Sequence, residues 1–372
     1  MLITSIDYVL CRSELARPIP LSCGVLTHRN FGLIRVETTD GTVGWGETSI
    51  NFPPWTYSER AATITEGLAP LLIGEPAQDV LRLRDKMVDA TRSFTRMWSE
   101  GALSQAISGI EMALWDAFGK SVNLPVATLL GGIYRDSFTC YATGIRSDDP
   151  GAGAREAVAA GYRAIKMRVG FGEAADIAAA HAVRDAIGPD VALLIDANQA
   201  FDLPRARRMI AALSEVDPYW IEEPVLSDDF ATQHRLRAEF PHIRMAWGEN
   251  AFRLAQFQQV AEQGLADVIM PDPCRCGGMG AAMDAARAVG AHGLAVSAHH
   301  YGSDLGFAAM LHFMAASRLT DMVLRDIAPV ALRDSIVTES LVPVNGQVRL
   351  PMGPGFGVTP DLDVIAANRV TL

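Results

Sequence analysis

LLIDANQA, residues 193–200, is an apolar run that stops at an acid, Asp196, and breaks into turn-forming polar residues. The same grammar returns twice: YWIEEP (219–224) delivers Glu222 and MAWGEN (245–250) delivers Glu249, at steps of 26 and 27 residues. Outward in both directions the pattern holds. RAIKMR (163–168) ends at Arg168, 28 residues before Asp196; DVIMPD (267–272) ends at Asp272, 23 residues after Glu249; GLAVSAH (293–299) ends at His299, 27 residues further on. One strand plus one helix takes about 25–30 residues, so six such strand ends predict a (β/α) barrel with its chemistry at the C-terminal face. Three carboxylates on adjacent strand ends repel unless a cation lies between them. Hard oxygen donors in such a trio point to Mg²⁺.

The spacing predicts eight strands, at 138–143, 163–168, 191–196, 218–222, 243–249, 267–272, 293–299 and 320–325. Helical patterns separate them at 151–161, 173–187, 203–215, 228–239, 253–264, 277–289 and 303–317. No glycine-rich dinucleotide fingerprint follows the first strand, which weighs against a Rossmann sheet. Before the barrel, residues 1–10, 31–38 and 42–47 read as strands, the last two joined at Asp40-Gly41. Helical spacing follows at 58–72, 79–91 and 103–119, an α+β block of its own. The fold class expected is therefore α/β: a modified TIM-type barrel (125–340) with an N-terminal α+β capping domain (1–124). A C-terminal segment (341–372) returns to the cap, with Asn345-Gly346 as a hairpin turn. Residues 16–30 and 49–57 read as long lid loops, and His28, Arg29 and Trp55 in them as substrate contacts.

The 372 residues carry a formal net charge of −11, which argues against a nucleic-acid partner and requires a locally positive pocket for any anionic substrate. No apolar run of membrane-spanning length and no signal-peptide pattern occurs, so a cytoplasmic protein is expected. The five cysteines lack a disulfide framework, and Cys274-x-Cys276 has no second ligand pair to make a zinc site.

Lys166 and Arg168 lie two apart on one strand and point the same way into the barrel mouth. A lysine near a divalent cation and an arginine is expected to lose its charge readily, which suits a base. Arg168 is no base but a good carboxylate clamp. Across the barrel, Asp272 can fix the tautomer of His299 and raise its basicity. This assembly fits removal of the proton α to a carboxylate. Glu223 and Asn198 read as supports beside the metal ligands, Asn198 also as a substrate contact. His300 alternates to the other face of its strand, and His312 reads as packing.

At these residues the chain resembles the enolase superfamily, mandelate racemase subgroup. The matching segments are ALSQAISGIEMALWDAFGK (102–120), LPVATLLGG (124–132), IKMRVG (165–170), LLIDANQA, WIEEP, WGEN, MPDPCRCGG (270–278) and VSAHHYGS (296–303). The resemblance implies one Mg²⁺ held by Asp196, Glu222 and Glu249, with an Asp272–His299 dyad and a Lys-x-Lys strand as the two acid/base arms. It implies a small carboxylate substrate, usually an acid sugar, and a homo-oligomer, a dimer or an octamer. Two departures stand out. The second lysine of Lys-x-Lys is Arg168, so either Lys166 substitutes as base or that face acts electrostatically. The acidic position of the eighth strand falls in DMVLRDIAP (321–329), at Leu324 or Arg325, with Asp326 close by.

A racemase needs a base on each face, which Arg168 does not supply. A dehydratase needs one base and one acid, and a single histidine can serve both. The reading is thus an acid sugar dehydratase, a hydro-lyase. The alternative is an isomerase working through the same enolate: a sugar-lactone cycloisomerase, to which PVNGQVRLPMGPGFGV (343–358) is similar, or a racemase or epimerase. A non-catalytic metal- and acid-binding homologue is the third reading.

Overall fold

A computed structural model describes residues 1–371 except 22–23, 54, 96 and 147. The cap opens with a three-stranded antiparallel sheet, β1 (Ile3–Leu21), β2 (Gly24–Thr38) and β3 (Val43–Thr48), in the order β1-β2-β3. Helices α1 (Thr56–Ala62), α2 (Val80–Thr91) and α3 (Glu100–Ser121) complete it. Helix α3 is buried along most of its length and lies against β3. Gly44 and Gly46 permit that approach: a Cβ on either would overlap the backbone oxygens of Ala113 and Gly109.

The sheet corrects one expectation. Most of the 16–30 lid region is strand: β1 and β2 form a single long ribbon with Leu21 paired to Gly24. Pro18 and Pro20 suggested a loop, but β1 is an edge strand, where a missing N–H breaks no ladder.

The barrel holds eight parallel strands: β4 (Ser137–Thr143), β5 (Ala164–Arg168), β6 (Ala192–Asp196), β7 (Trp220–Glu222), β8 (Met245–Trp247), β9 (Val268–Ile269), β10 (Ala295–Val296) and β11 (Val323–Asp326). They run in the order β10-β9-β8-β7-β6-β5-β4-β11, and a bridge from Val296 to Thr320 closes the ring. Helices α4 (Pro150–Ala159), α5 (Glu173–Ile187), α6 (Leu203–Leu213), α7 (Phe230–Glu239), α8 (Leu254–Glu262), α9 (Met279–Gly290) and α10 (Asp304–Ala316) lie between successive strands. Local chemistry starts them: Asp149, Asp202, Asp229 and Ser303 each accept a first-turn amide, with Pro150 and Pro204 at early helical positions. Inside the ring Tyr141, Leu194, Trp220, Val268, Met270 and Leu324 pack as a closed layer, so the barrel is filled below its mouth.

The later strands are shorter than the apolar runs suggested. Glu249, Asp272 and His299 therefore sit two or three residues beyond β8, β9 and β10, on the loops of the mouth. Gly248, at φ +130°, turns the chain out of β8 one residue before Glu249. At the C-terminus, β12 (Gln347–Arg349) pairs with β4, and Val370 N donates to Leu10 O of β1 at 2.8 Å. Among the described residues no helix is long and apolar enough to cross a membrane.

Candidate active site

Parallel pairing sets Arg168, Asp196 and Glu222 side by side, in register across β5, β6 and β7. Lys166 rises between them. Its Nζ lies 3.0 Å from Asp196 Oδ2 and 2.9 Å from both Glu222 oxygens, with all three groups buried. The ring of Tyr141 lies beneath the ammonium, its centroid 5.8 Å away. Burial favours the neutral amine, but Asp196 and Glu222 outweigh it and hold the Lys166 charge well above the ordinary lysine range.

Glu249 faces the opposite arm. Its Oε2 lies 3.0 Å from His299 Nε2, while His299 Nδ1 lies 2.7 Å from Asp272 Oδ2. Cys274 N donates to the other Asp272 oxygen at 2.7 Å, and Arg275 Nε lies 3.3 Å from Asp272, so the carboxylate is fixed in orientation. Burial alone would drive His299 down, yet Glu249 and Asp272 raise it above the usual imidazole value. Asp272 is correspondingly lowered, the hydrogen bond and charge of His299 outweighing its burial.

The turns after the strands hold the acids in place. Asn198 N donates to Asp196 Oδ1 at 2.9 Å, and Asn198 Nδ2 lies 3.4 Å from Glu249 Oε1. Asn198, Gln199 and Glu223 all adopt positive φ, 44°, 62° and 37°, a backbone that turns the chain sharply at the mouth. Asn250 Nδ2 donates to Glu223 at 2.8 Å and to Glu249 at 3.3 Å.

The charge balance of this cluster bears on a metal. Asp196, Glu222 and Glu249 carry three negative charges against one ammonium. Burial and the neighbouring acids push Glu222 up to about 7 and Glu223 up to about 8, the mark of buried negative charge in excess. Among the described residues no three His, Cys, Asp or Glu side chains converge as a closed cage; Lys166 and His299 hold the acids instead. The donors are all carboxylate oxygens on adjacent strand ends, so the set fits a hard divalent cation such as Mg²⁺.

Beside Lys166 opens a cavity of about 830 Å³, lined by Lys166, Arg168 and Phe171 from the barrel and by Ile19 and its neighbours from the β1 ribbon; the acids of the cluster and His299 do not line it. Arg17 and Arg146 stand at it too, each paired with Asp148 of the same lining, at 3.5 and 3.2 Å. Arg168 has no carboxylate partner among the described residues, and its Nε is buried and unpaired. Burial would lower it, but Tyr301 and the acids nearby keep the guanidinium charged.

The sequence-derived substrate contacts fall in different places. Arg29 is fully buried, its Nη1 2.9 Å from Asp326 Oδ2 and its Nη2 donating to Tyr301 O at 3.1 Å. Asp326 is thus engaged, also lying 3.4 Å from Arg333. Neighbouring Arg325 is turned to Asp304, 2.6 Å away. His28 pairs with Glu14 across the ribbon, and Trp55 is 70 % exposed; neither lines the cavity. His300 points behind the site, its Nε2 3.0 Å from Ser303 O. His312 is buried far from the mouth and accepts from Ala127 N at 3.1 Å. Cys274 and Cys276 are free buried thiols.

Sequence reasoning missed Tyr301. It lines both the large cavity and a small one beside Asp272, and the guanidinium carbons of Arg29 and Arg168 lie 3.6 and 5.5 Å from its ring centroid. The signal was its position two residues after His299, in a loop that must pass over the mouth.

Residues 5–131 match the family described as mandelate racemase / muconate lactonizing enzyme, N-terminal domain, and residues 151–364 match enolase C-terminal domain-like. The chain is similar to D-galactarolactone cycloisomerase of Agrobacterium fabrum, 31% identical over 385 residues, covering 100% of this chain and 99% of that protein. It is similar to L-rhamnonate dehydratase of Saccharopolyspora erythraea, 32% identical, with 88% and 82% covered. Among solved structures it resembles a racemase from Streptomyces coelicolor A3(2) with bound magnesium, with a TM-score of 0.88, 26% identity and 99% and 100% coverage.

Proposed function

The chain belongs to the mandelate racemase / muconate lactonizing enzyme family of the enolase superfamily, and from that premise we propose that it is an acid sugar dehydratase. The observation that carries this is asymmetry between the two arms of the mouth. One arm is the Asp272–His299 pair at 2.7 Å; the other carries Arg168, which does not give up its proton, where a second base would stand. One competent base suits elimination better than racemisation, which needs two.

Substrate enters carboxylate first, drawn by Arg168, which has no carboxylate partner among the described residues. With Nδ1 engaged by Asp272, Nε2 is the nitrogen of His299 left for the α proton, once it parts from Glu249 Oε2, 3.0 Å away. Asp196, Glu222 and Glu249 would hold the Mg²⁺. When bound, the cation adds positive charge beside the substrate carboxylate, which lowers the cost of removing the α proton. The barrel floor excludes water from below and the β1 ribbon covers one side. The β-hydroxyl leaves as water only with a proton delivered to it.

A second reading is supported by coverage: the cycloisomerase relative aligns with this chain end to end. Opening a lactone by β-elimination uses the same base and carboxylate site.

Proton NMR in D₂O with MgCl₂ tests both readings against aldonates, aldarates and their lactones. A 2-keto-3-deoxy product is the expected outcome. Ring opening of a lactone alone selects the second reading. No α-proton exchange in any compound, with the metal demonstrably bound, rejects both.

A further inference from the structure

We infer that Tyr301 is the proton donor to the departing β-hydroxyl; this rests on the elimination reading of the site. Three observations converge on it. It lines the same cavity as Lys166 and Arg168 and also the small cavity against Asp272, so it borders a residue of each arm. Its hydroxyl has no hydrogen-bond partner among the described residues, in a mouth where the neighbouring acids are all engaged. Two guanidiniums lie over the ring, Arg29 at 3.6 Å and Arg168 at 5.5 Å from its centroid.

The guanidiniums do different things. Arg29 is locked by Asp326 and by the backbone oxygen of Tyr301 itself, so it fixes the ring. Arg168 has no carboxylate partner among the described residues, its Nε is unpaired, and it lines the cavity. Positive charge over an aromatic face attracts its π electrons, so the two cations hold the ring where it stands. Arg168, no base itself, thereby gains a role at the place where a second lysine would stand.

The step balances without any further reactant. His299 takes the α proton, the C–H electron pair becomes the C=C bond, and the C–O bond breaks onto oxygen. The phenolic proton joins that oxygen and water leaves. The enol moves its own proton to carbon on becoming the ketone. The phenolate recovers a proton released by protonated His299 through solvent, and both groups are reset.

Tyr301→Phe keeps the ring and its stacking, so folding is retained and thermal unfolding verifies it. The probes are D-xylonate and L-rhamnonate with their 3-deoxy-3-fluoro counterparts, because fluoride leaves without a proton. With the hydroxy compounds kcat is expected to fall about a hundredfold to ten-thousandfold, the range for loss of a general acid. Fluoride release and α-proton exchange in D₂O stay within a few-fold of wild type. Equal losses on both leaving groups, or no loss with the hydroxy compounds, overturn the assignment while wild-type turnover keeps the site reading intact. Wild type that opens only lactones, whose carboxylate leaving group takes no proton, overturns it as well. Wild type that neither exchanges the α proton nor releases fluoride rejects the site reading and this inference together.

Discussion

Asp272 Oδ2 lies 2.7 Å from His299 Nδ1, and the far nitrogen of the same ring lies 3.0 Å from Glu249 Oε2. One imidazole therefore joins the dyad to the carboxylate cluster. Asp272 leaves it a single useful nitrogen and steadies the imidazolium that forms after proton abstraction. Asp272→Asn is expected to cut kcat by about a hundredfold to ten-thousandfold, the general acid–base range, with little change in KM. Steady-state kinetics and α-proton exchange check it. Unchanged exchange would place the base on the Lys166 arm.

Lys166 lies within 3.0 Å of Asp196 and of Glu222, all three buried. Truncating it to methionine leaves two buried carboxylates without their cation. Breaking such a buried pair costs about 3–5 kcal/mol. MgCl₂ is expected to recover part of this loss, because a ligand that binds only the folded state stabilises it by about 2.7 kcal/mol at a hundred times its dissociation constant. Thermal unfolding of Lys166→Met with and without MgCl₂ measures the recovery. In Asp196→Asn the same titration is expected to be nearly flat.

Arg29 ties the cap to the eighth barrel strand through Asp326 at 2.9 Å, with the two side chains 0 % and 5 % exposed. Arg29→Met abandons that carboxylate in the interior and is expected to destabilise the fold by about 3–5 kcal/mol. The double variant Arg29→Met/Asp326→Leu removes both charges and is expected to regain much of it. Urea unfolding of wild type, Arg29→Met, Asp326→Leu and the double variant gives the coupling directly.

Fold and cluster were legible to different depths. An acid or histidine closing each apolar run, at Asp196, Glu222, Glu249, Asp272 and His299, gave the barrel period because strand, turn and helix have fixed lengths. The same run-ends overstated strand length after β7, since apolar residues in the mouth loops continue the pattern without pairing. The ribbon of β1 and β2 was hidden by its prolines, which an edge strand tolerates. Arg29 read as a lid contact because its partner, Asp326, is 297 residues away. The partners of Lys166 were hidden for a related reason: only strand order brings Asp196 and Glu222 to its ammonium.

His312 lies in α10, wholly buried, accepting the Ala127 amide at Nδ1 over 3.1 Å. Burial lowers its pKa from 6.5 to about 4. The folded value is thus depressed below the unfolded one, and between these values the unfolded chain binds the extra proton. The stability contributed is fully present above pH 6.5 and is lost as the pH falls toward 4. The slope is about 1.4 kcal/mol per pH unit within the window. His312→Gln does not titrate there, so its stability deficit relative to wild type is expected to shrink as the pH falls from 7 to 5. Urea unfolding of both proteins at the two pH values decides it: a deficit that stays constant would mean that His312 is protonated in the folded state and that its ring nitrogen does not accept from Ala127.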